Sequence, residues 1–381
     1  MRVISAELFR LGIPFRFSFT HAAATRRTSD NLVLKLTLQN GIVGYGECLA
    51  RSYVTGETAD TVSNWFIREG QPFLAALDLR DRDAFAELIA GADRGVLDAG
   101  GAAGCLVELA TIDAFGKLFG VRVSDLFGRR ERETATYAGV VGRMNGVARR
   151  LLLRRMRDAG LRTAKLKVGF GTADVAALAD CRAVLGPEAV LGVDANGAWQ
   201  ADEALKAIEQ MRRFNVDFVE QPTARGDRAG AAIVAAHSPI PVVLDESVCS
   251  MADAEDACAN KLGHGFSVRV SKVGGLRNAL RLHDFARERG LRYHVGALVG
   301  ETGILAAAGR QLALMTEPRT TEGSVGDLLL SEDLTDPSVR FGRHGAGHRL
   351  HGAGLGVDVV ASRVSRHTRG GAPQRVQEQL H

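Results

Sequence analysis

The run Thr163-Ala164-Lys165-Leu166-Lys167-Val168 alternates small or apolar residues with lysines, and comparable runs return at regular intervals along the chain. VLGVDA stands at 190–195, DFVEQ at 217–221, PVVLDE at 241–246 and FSVRVSKV at 266–273. The same rhythm extends backwards to TATYAGVV at 134–141 and forwards to RYHVGAL at 292–298 and TTEGSV at 320–325. Between the runs lie Ala/Leu/Arg-rich stretches with apolar residues at helical spacing, such as Val147–Ala159, Asp202–Phe214 and Leu276–Arg289. Eight strand–helix units of roughly 25 residues each predict an α/β protein whose parallel strands close into a (β/α)8-type barrel. An open, doubly wound sheet is the less economical arrangement for units so evenly spaced.

Outside this stretch the rhythm changes. Residues 1–60 look like a β-meander: Val3–Phe9 with Ile4, Ala6 and Leu8 on one face, LVLKLTL at 32–38, and GIVGYGE at 41–47 after an Asn-Gly turn. Thr61–Phe66, Asp81–Ile89 and Ala102–Leu118 carry helical periodicity. The expected division is an α+β domain over 1–125, the barrel over 126–345, and a C-terminal segment over 346–381. That segment ends in a basic tail whose last residues are expected to lack order.

Composition narrows the function classes. The chain has 381 residues, 46% hydrophobic and 24% charged, which excludes a disordered or collagen-like chain and a disulfide miniprotein. No apolar run approaches the roughly 18 residues that would span a bilayer. The net charge of +4 is matched by residues 343–381, with six Arg against two acids, so nucleic-acid binding is not indicated. Five scattered Cys without metal-type spacing read as reduced thiols of a cytoplasmic protein. Only seven of the 48 basic residues are Lys, which draws attention to Lys165, Lys167 and Lys272, because Lys can give up its proton and Arg cannot.

Barrel active sites gather at the C-terminal ends of the strands. Those ends carry Lys165 and Lys167, Asp194 and Asn196, Glu220, Asp245 and Glu246, and Lys272, with intervals of 25 to 27 residues from Lys167 through Asp194, Glu220 and Asp245 to Lys272. Three carboxylates on adjacent strands repel one another unless a cation lies between them. Oxygen-only ligation suits Mg2+, with Mn2+ as a substitute, better than Zn2+. Lys167 and Lys272, from either side of the carboxylates, suit proton removal on one face of a carbon and delivery on the other, with Lys165 as a neighbouring positive charge. The metal would hold the substrate carboxylate and stabilise the enolate left when the α-proton departs. Asn196 and Glu246 are expected to orient these groups, and Glu301, just after strand seven, to lie near the substrate.

Together, Lys165-Leu166-Lys167, Asp194-Ala195-Asn196, Glu220-Gln221-Pro222, Asp245-Glu246-Ser247 and Ser271-Lys272-Val273-Gly274-Gly275 resemble the enolase superfamily, within it the muconate lactonizing enzyme (muconate cycloisomerase) subgroup. The mandelate racemase subgroup would set a His–Asp dyad opposite the first lysine pair; here His294 lies on strand seven, but Lys272 fills the opposing role. Gly44-Tyr45-Gly46-Glu47, Tyr53-Val54-Thr55-Gly56-Glu57 and Gly354-Leu355-Gly356-Val357 are similar to the subgroup's capping loop and closing segment. The resemblance implies a modified (β/α)7β TIM-type barrel under an α+β capping domain, to which the C-terminal segment returns. It implies one Mg2+ on Asp194, Glu220 and Asp245, acid/base catalysis by Lys167 and Lys272, and a homo-oligomer, commonly an octamer.

The subgroup's shared residues do not choose a substrate. Dipeptide epimerases of the subgroup carry Asp-x-Asp on strand eight, where this chain has Gly323-Ser324-Val325 followed by Gly326-Asp327-Leu328-Leu329-Leu330, closer to a cycloisomerase pattern. Glu322 is expected to be solvated or paired with Arg. Phe17, Phe19, His21 and Tyr53 on the cap side, near Arg26, and Val299 and Val325 on the barrel side, are the candidate specificity positions. The expectation is a muconate-type cycloisomerase acting on a small carboxylate. The alternatives are an N-acylamino acid racemase or epimerase, an o-succinylbenzoate synthase-type dehydratase, and a metal-binding barrel without catalysis.

Overall fold

The structure, a computed structural model, describes residues 1–21, 24–91, 95–323, 326–370 and 374–377. Five strands open the chain: β1 (Val3–Arg10), β2 (Ile13–His21), β3 (Ala24–Ser29), β4 (Leu32–Leu38) and β5 (Val43–Cys48). β1, β4 and β5 lie antiparallel in one sheet, while β2 and β3 form a separate hairpin. The expected alternation in β1 fails at one residue. Its register against β4 shifts between Val3 and Ser5, so Ile4 turns outward while Ala6 and Leu8 stay buried. An irregularity of this kind reverses the face of the residues before it.

Helices α1 (Ala59–Trp65), α2 (Gln71–Ala76), α3 (Arg82–Ala90), α4 (Gly101–Phe119) and α5 (Val123–Leu126) follow. Residues 102–116 of α4 are all buried, as befits a helix covered on more than one side. One side lies on β5, where glycines admit it: a Cβ on Gly46 would sit 2.2 Å from the Leu106 carbonyl oxygen. The other side meets the barrel, where Glu108 Oε1 accepts from the Arg277 amide at 3.0 Å.

After β6 (Thr134–Thr136), the barrel strands are β7 (Gly139–Val141), β8 (Thr163–Lys167), β9 (Val190–Asp194), β10 (Phe218–Glu220), β11 (Val242–Val243), β12 (Gly265–Val268) and β13 (Arg292–Val295). Among them run α6 (Gly146–Asp158), α7 (Thr172–Leu185), α8 (Ala201–Arg212), α9 (Arg228–His237), α10 (Met251–Ala259), the single turn α11 (Val270–Val273), α12 (Leu276–Glu288) and α13 (Gly303–Thr316). β7 to β11 pair in parallel and in chain order, Leu244 bridges to Phe266, and β12 pairs with β13. Thr321 bridges both Val295 and Tyr137, which closes the ring. Leu166, Leu191, Val193, Val219 and Val242 are buried along the staves, each worth about 1.5–3 kcal/mol of apolar burial.

The last stave, formed at Thr321, is followed only by the four-residue α14 (Gly326–Leu329), then by β14 (Ala346–His348), α15 (Ala361–His367) and β15 (Gln374–Gln377). The architecture is therefore a (β/α)7β barrel with an α+β cap. β14 pairs with β6, Gly354 bridges to Arg122, and β15 adds to the outer edge of β1. Part of the tail expected to lack order is thus an edge strand; residues 371–373 and 378–381 lie outside the described set. One large hydrophobic core runs from the cap sheet through α4 into the barrel, and a small second cluster gathers Ala135, Tyr137, Ala313 and Leu314. No helix among the described residues is long and apolar enough to cross a membrane.

Candidate active site

Strand register sets the first three polar ends level. Lys167 on β8 is opposite Asp194 on β9, and Asp194 is opposite Glu220 on β10. Asp245 lies two residues beyond Val243, the β11 partner of Glu220. Asp194, Glu220 and Asp245 are fully buried, and isolated charges there would be untenable. The chain meets that demand with its own cations.

Lys165 donates to Glu220 Oε1 at 2.9 Å, lies 3.4 Å from Asp194 Oδ2 and contacts Glu322. Burial works against its charge, but Glu220, Glu322 and Asp194 hold its pKa well above the ordinary value. It is a fixed cation, and Glu322, expected to be solvated or Arg-paired, is its partner. Lys167 donates to Asp194 Oδ2 at 2.5 Å and to Asn196 Oδ1 at 3.0 Å. Burial would raise the Asp194 pKa, yet Lys167 and Lys165 hold it below the ordinary range. Burial is the largest influence on Glu220; with Asp194, Asp245 and Glu322 nearby it outweighs Lys165 and pushes this carboxyl well up.

Asn196 sits in the left-handed region at φ 46°, which brings its amide onto the site. Its backbone N–H donates to Asp194 Oδ1 at 2.9 Å and its side-chain amide to Glu246 Oε1 at 3.0 Å. Asn196 and Glu246 therefore brace Lys167 and Asp194. Sequence reasoning assigned no role to Gln221, which holds the turn after β11. Its Oε1 accepts from the Asp245 and Ser247 amides at 2.9 and 3.1 Å, and its Nε2 donates to Ser247 Oγ at 2.7 Å.

The sixth strand differs most from expectation. The side chain at its end is Arg269, whose guanidinium contacts Asp245 Oδ2. Lys272 follows on α11, fully buried, and donates to the Asp245 and Ser267 carbonyls at 2.6 and 2.8 Å and to Asp245 Oδ1 at 2.8 Å. An ammonium has three protons to donate, and all three are taken. Burial would raise the Asp245 pKa, but Arg269 and Lys272 hold it below the ordinary range. Lys272 was expected to face Lys167 across the carboxylates; the structure ties it to Asp245 and Ser267, and Arg269 is the other cation on Asp245. The signal for it was the period-two alternation Ser267-x-Arg269 along the strand.

Among the described residues no three His, Cys, Asp or Glu side chains are gathered to hold a metal ion as they stand; ammonium and guanidinium groups occupy the space between the carboxylates. The donor set is nonetheless oxygen-only, and Glu220 Oε2 is buried with no hydrogen-bond partner. Such an orphaned carboxyl oxygen beside two further carboxylates fits a hard divalent cation.

The cap loop is tied over the strand ends. The Leu49 N–H donates to Ser271 Oγ at 3.0 Å, Arg51 donates to the Val299 carbonyl at 3.1 Å, and Arg225 donates to the Val54 carbonyl. Glu47 caps α13, accepting from the Thr302 and Leu305 amides at 3.0 and 2.9 Å and from Thr302 Oγ1 at 2.6 Å. Burial pushes its pKa up to about 7. Glu301 is buried beside it and accepts from the Leu298 amide at 2.6 Å; burial, with the Glu47 charge, pushes it up to about 8. Arg269 and Arg51 lie close enough to act on Glu301 electrostatically, which places it on the site side of strand seven. His294 is a neutral barrel residue, its Nδ1 2.6 Å from Thr320 Oγ1 and its pKa pushed down to about 3 by burial, then by Lys165.

Of the specificity positions, Phe17 and Tyr53 are exposed, Arg26 lies over the Tyr53 ring at 5.8 Å, and Val299 is half-buried. Phe19 and His21 are on β2, but their side chains, like all of Val325, lie outside the described set.

The family described as enolase C-terminal domain-like matches residues 148–363. Muconate cycloisomerase 1 of Pseudomonas putida is 31% identical over 272 residues, covering 69% of this chain and 71% of that protein. N-succinyl-L-Arg/Lys racemase of Bacillus cereus strain ATCC 14579 is 23% identical over 366 residues, covering 94% and 96%. The crystal structure of the N-succinyl Arg/Lys racemase from that strain superposes with a TM-score of 0.87 at 22% identity, over 99% of this chain and 100% of the other.

Proposed function

Because the chain belongs to the enolase C-terminal domain-like family, whose relatives here are cycloisomerases, racemases and epimerases, we propose that it is an isomerase of the muconate cycloisomerase kind. It moves a proton at the carbon α to the carboxylate of a small-molecule substrate. The observation that carries this reading is the row of Asp194, Glu220 and Asp245 on adjacent strands, with Lys167 beside Asp194.

In this reading Asp194, Glu220 and Asp245 hold one Mg2+, for which Mn2+ can substitute. The ion supplies positive charge where negative charge builds on the substrate carboxylate. Lys167 takes or gives the α-proton, aimed by Asn196. Lys165 stays charged, pairs with Glu220 and helps Lys167 hold Asp194 ionised. Glu301, with its raised pKa, offers a protonated carboxyl at neutral pH near the substrate. A homo-oligomer in the cytoplasm is the expected setting.

The test is exchange of the α-proton with D2O, followed by 1H NMR, over muconolactones, N-succinyl amino acids and dipeptides. Exchange should require Mg2+ or Mn2+ and disappear in Lys167→Ala. No exchange with any of these compounds at millimolar Mg2+ would leave the chain a binding protein rather than an isomerase.

A further inference from the structure

Racemisation at the α-carbon needs a proton carrier on each face of the substrate, whereas cycloisomerisation needs one on one face. In strand order, Lys167 on β8 and Arg269 after β12 flank the three carboxylates of β9, β10 and β11. Each touches the carboxylate next to it, Asp194 and Asp245 respectively. The place for Arg269 is built into the fold. Gly296, its neighbour on strand seven, leaves room for the arginine stem: a Cβ there would lie 3.1 Å from Arg269 Cγ. Arg269 is only 8% exposed, and its Nε has no hydrogen-bond partner. Lys272 is walled in by two backbone carbonyls and Asp245, so it ties the end of β11 to β12.

We infer that Arg269 forms the wall of the site opposite Lys167, that Lys272 is a positioning residue behind it, and that proton transfer is confined to the Lys167 face. The enzyme then acts with a single stereochemical course, which selects cycloisomerisation of an unsaturated carboxylate over racemisation or epimerisation. A guanidinium keeps its proton in proteins, so it supplies fixed charge on its side and no proton relay. This inference rests on the isomerase reading above and specifies its substrate class.

Two measurements test it. In the metal-free protein, amine-selective acylation read by mass spectrometry should label Lys167 at least tenfold faster than Lys272; comparable rates would overturn the assignment of Lys272. With Mg2+ in D2O, both enantiomers of muconolactone and of N-succinylarginine are then followed by NMR and polarimetry. The wild type should exchange one enantiomer of its substrate without inverting it, and Arg269→Lys should bring exchange of the opposite enantiomer up at least tenfold. Inversion by the wild type overturns the one-face inference while leaving the isomerase reading standing. Absence of exchange from every compound removes the isomerase reading and this inference with it.

Discussion

Replacing Glu301 by Gln should remove a pH dependence of stability that the buried carboxyl imposes. Burial, then the Glu47 charge, raises its pKa from an ordinary 4.5 to about 8. Below pH 4.5 the carboxyl is protonated folded or unfolded, and the fold has the full benefit of the neutral form. As pH rises from 4.5 towards 8, the unfolded chain releases this proton and the folded chain keeps it, so stability falls. The interval of 3.5 units, at about 1.4 kcal/mol per unit, sets an upper bound of about 5 kcal/mol. Relaxation and water entry reduce this, and a loss of at least about 2 kcal/mol is expected. Gln keeps an oxygen to accept from the Leu298 amide but cannot ionise. Urea midpoints are measured at pH 5.0 and 8.5 for both proteins, because the difference within each protein cancels any repacking by the amide. The wild type should lose markedly more than Glu301→Gln. Equal losses would refute the idea that Glu301 is a buried, ionisable acid. Glu47, raised to about 7, acts in the same direction and leaves a residual slope in the variant.

Three further outcomes follow from the same geometry. Lys167→Ala should lower α-proton exchange by about 10²–10⁴-fold, with thermal melting to check that the fold survives. Lys165→Met strands Glu220 and Asp194 without their shared ammonium and should cost about 3–5 kcal/mol; millimolar Mg2+ should recover part of the lost melting temperature, and no Mg2+ effect would count against cation binding by these carboxylates. Gly46→Ala drives a Cβ onto the Leu106 carbonyl and the Ala110 amide, 2.2 and 2.5 Å away, and should cost about 1–3 kcal/mol in chemical denaturation.

Much of the barrel was legible because the physics there is local and repetitive. An apolar run ending in a polar residue once per unit marks each stave, and the register of Lys167, Asp194 and Glu220 follows from parallel pairing alone. The cap could be recognised as strands followed by helices, but its grip on the barrel could not. Glu47 capping α13 and Asn31 donating to the Gly300 carbonyl at 2.8 Å join residues more than 250 positions apart. No local pattern signals such contacts. Ile4 was placed wrongly for a related reason: a register shift is a property of the pair of strands, invisible in one of them.

On the sixth strand, composition picks out Lys272 and passes over Arg269. In a chain with so few lysines, a lysine at the right interval from Asp245 stands out, and an arginine three residues earlier does not. Distance along the chain, however, becomes distance in space only while the strand lasts. β12 ends at Val268, and the backbone turns into α11 at Val270. That single turn carries Lys272 back to the strand ends, where the Asp245 and Ser267 carbonyls accept its protons. Arg269, the last residue before the turn, meets Asp245 at Oδ2, while Lys272 holds Oδ1. Scarcity identified lysines whose charge is needed; strand geometry sets their contacts, Lys167 at the level of Asp194 and Lys272 reaching Asp245 only from the turn beyond the strand.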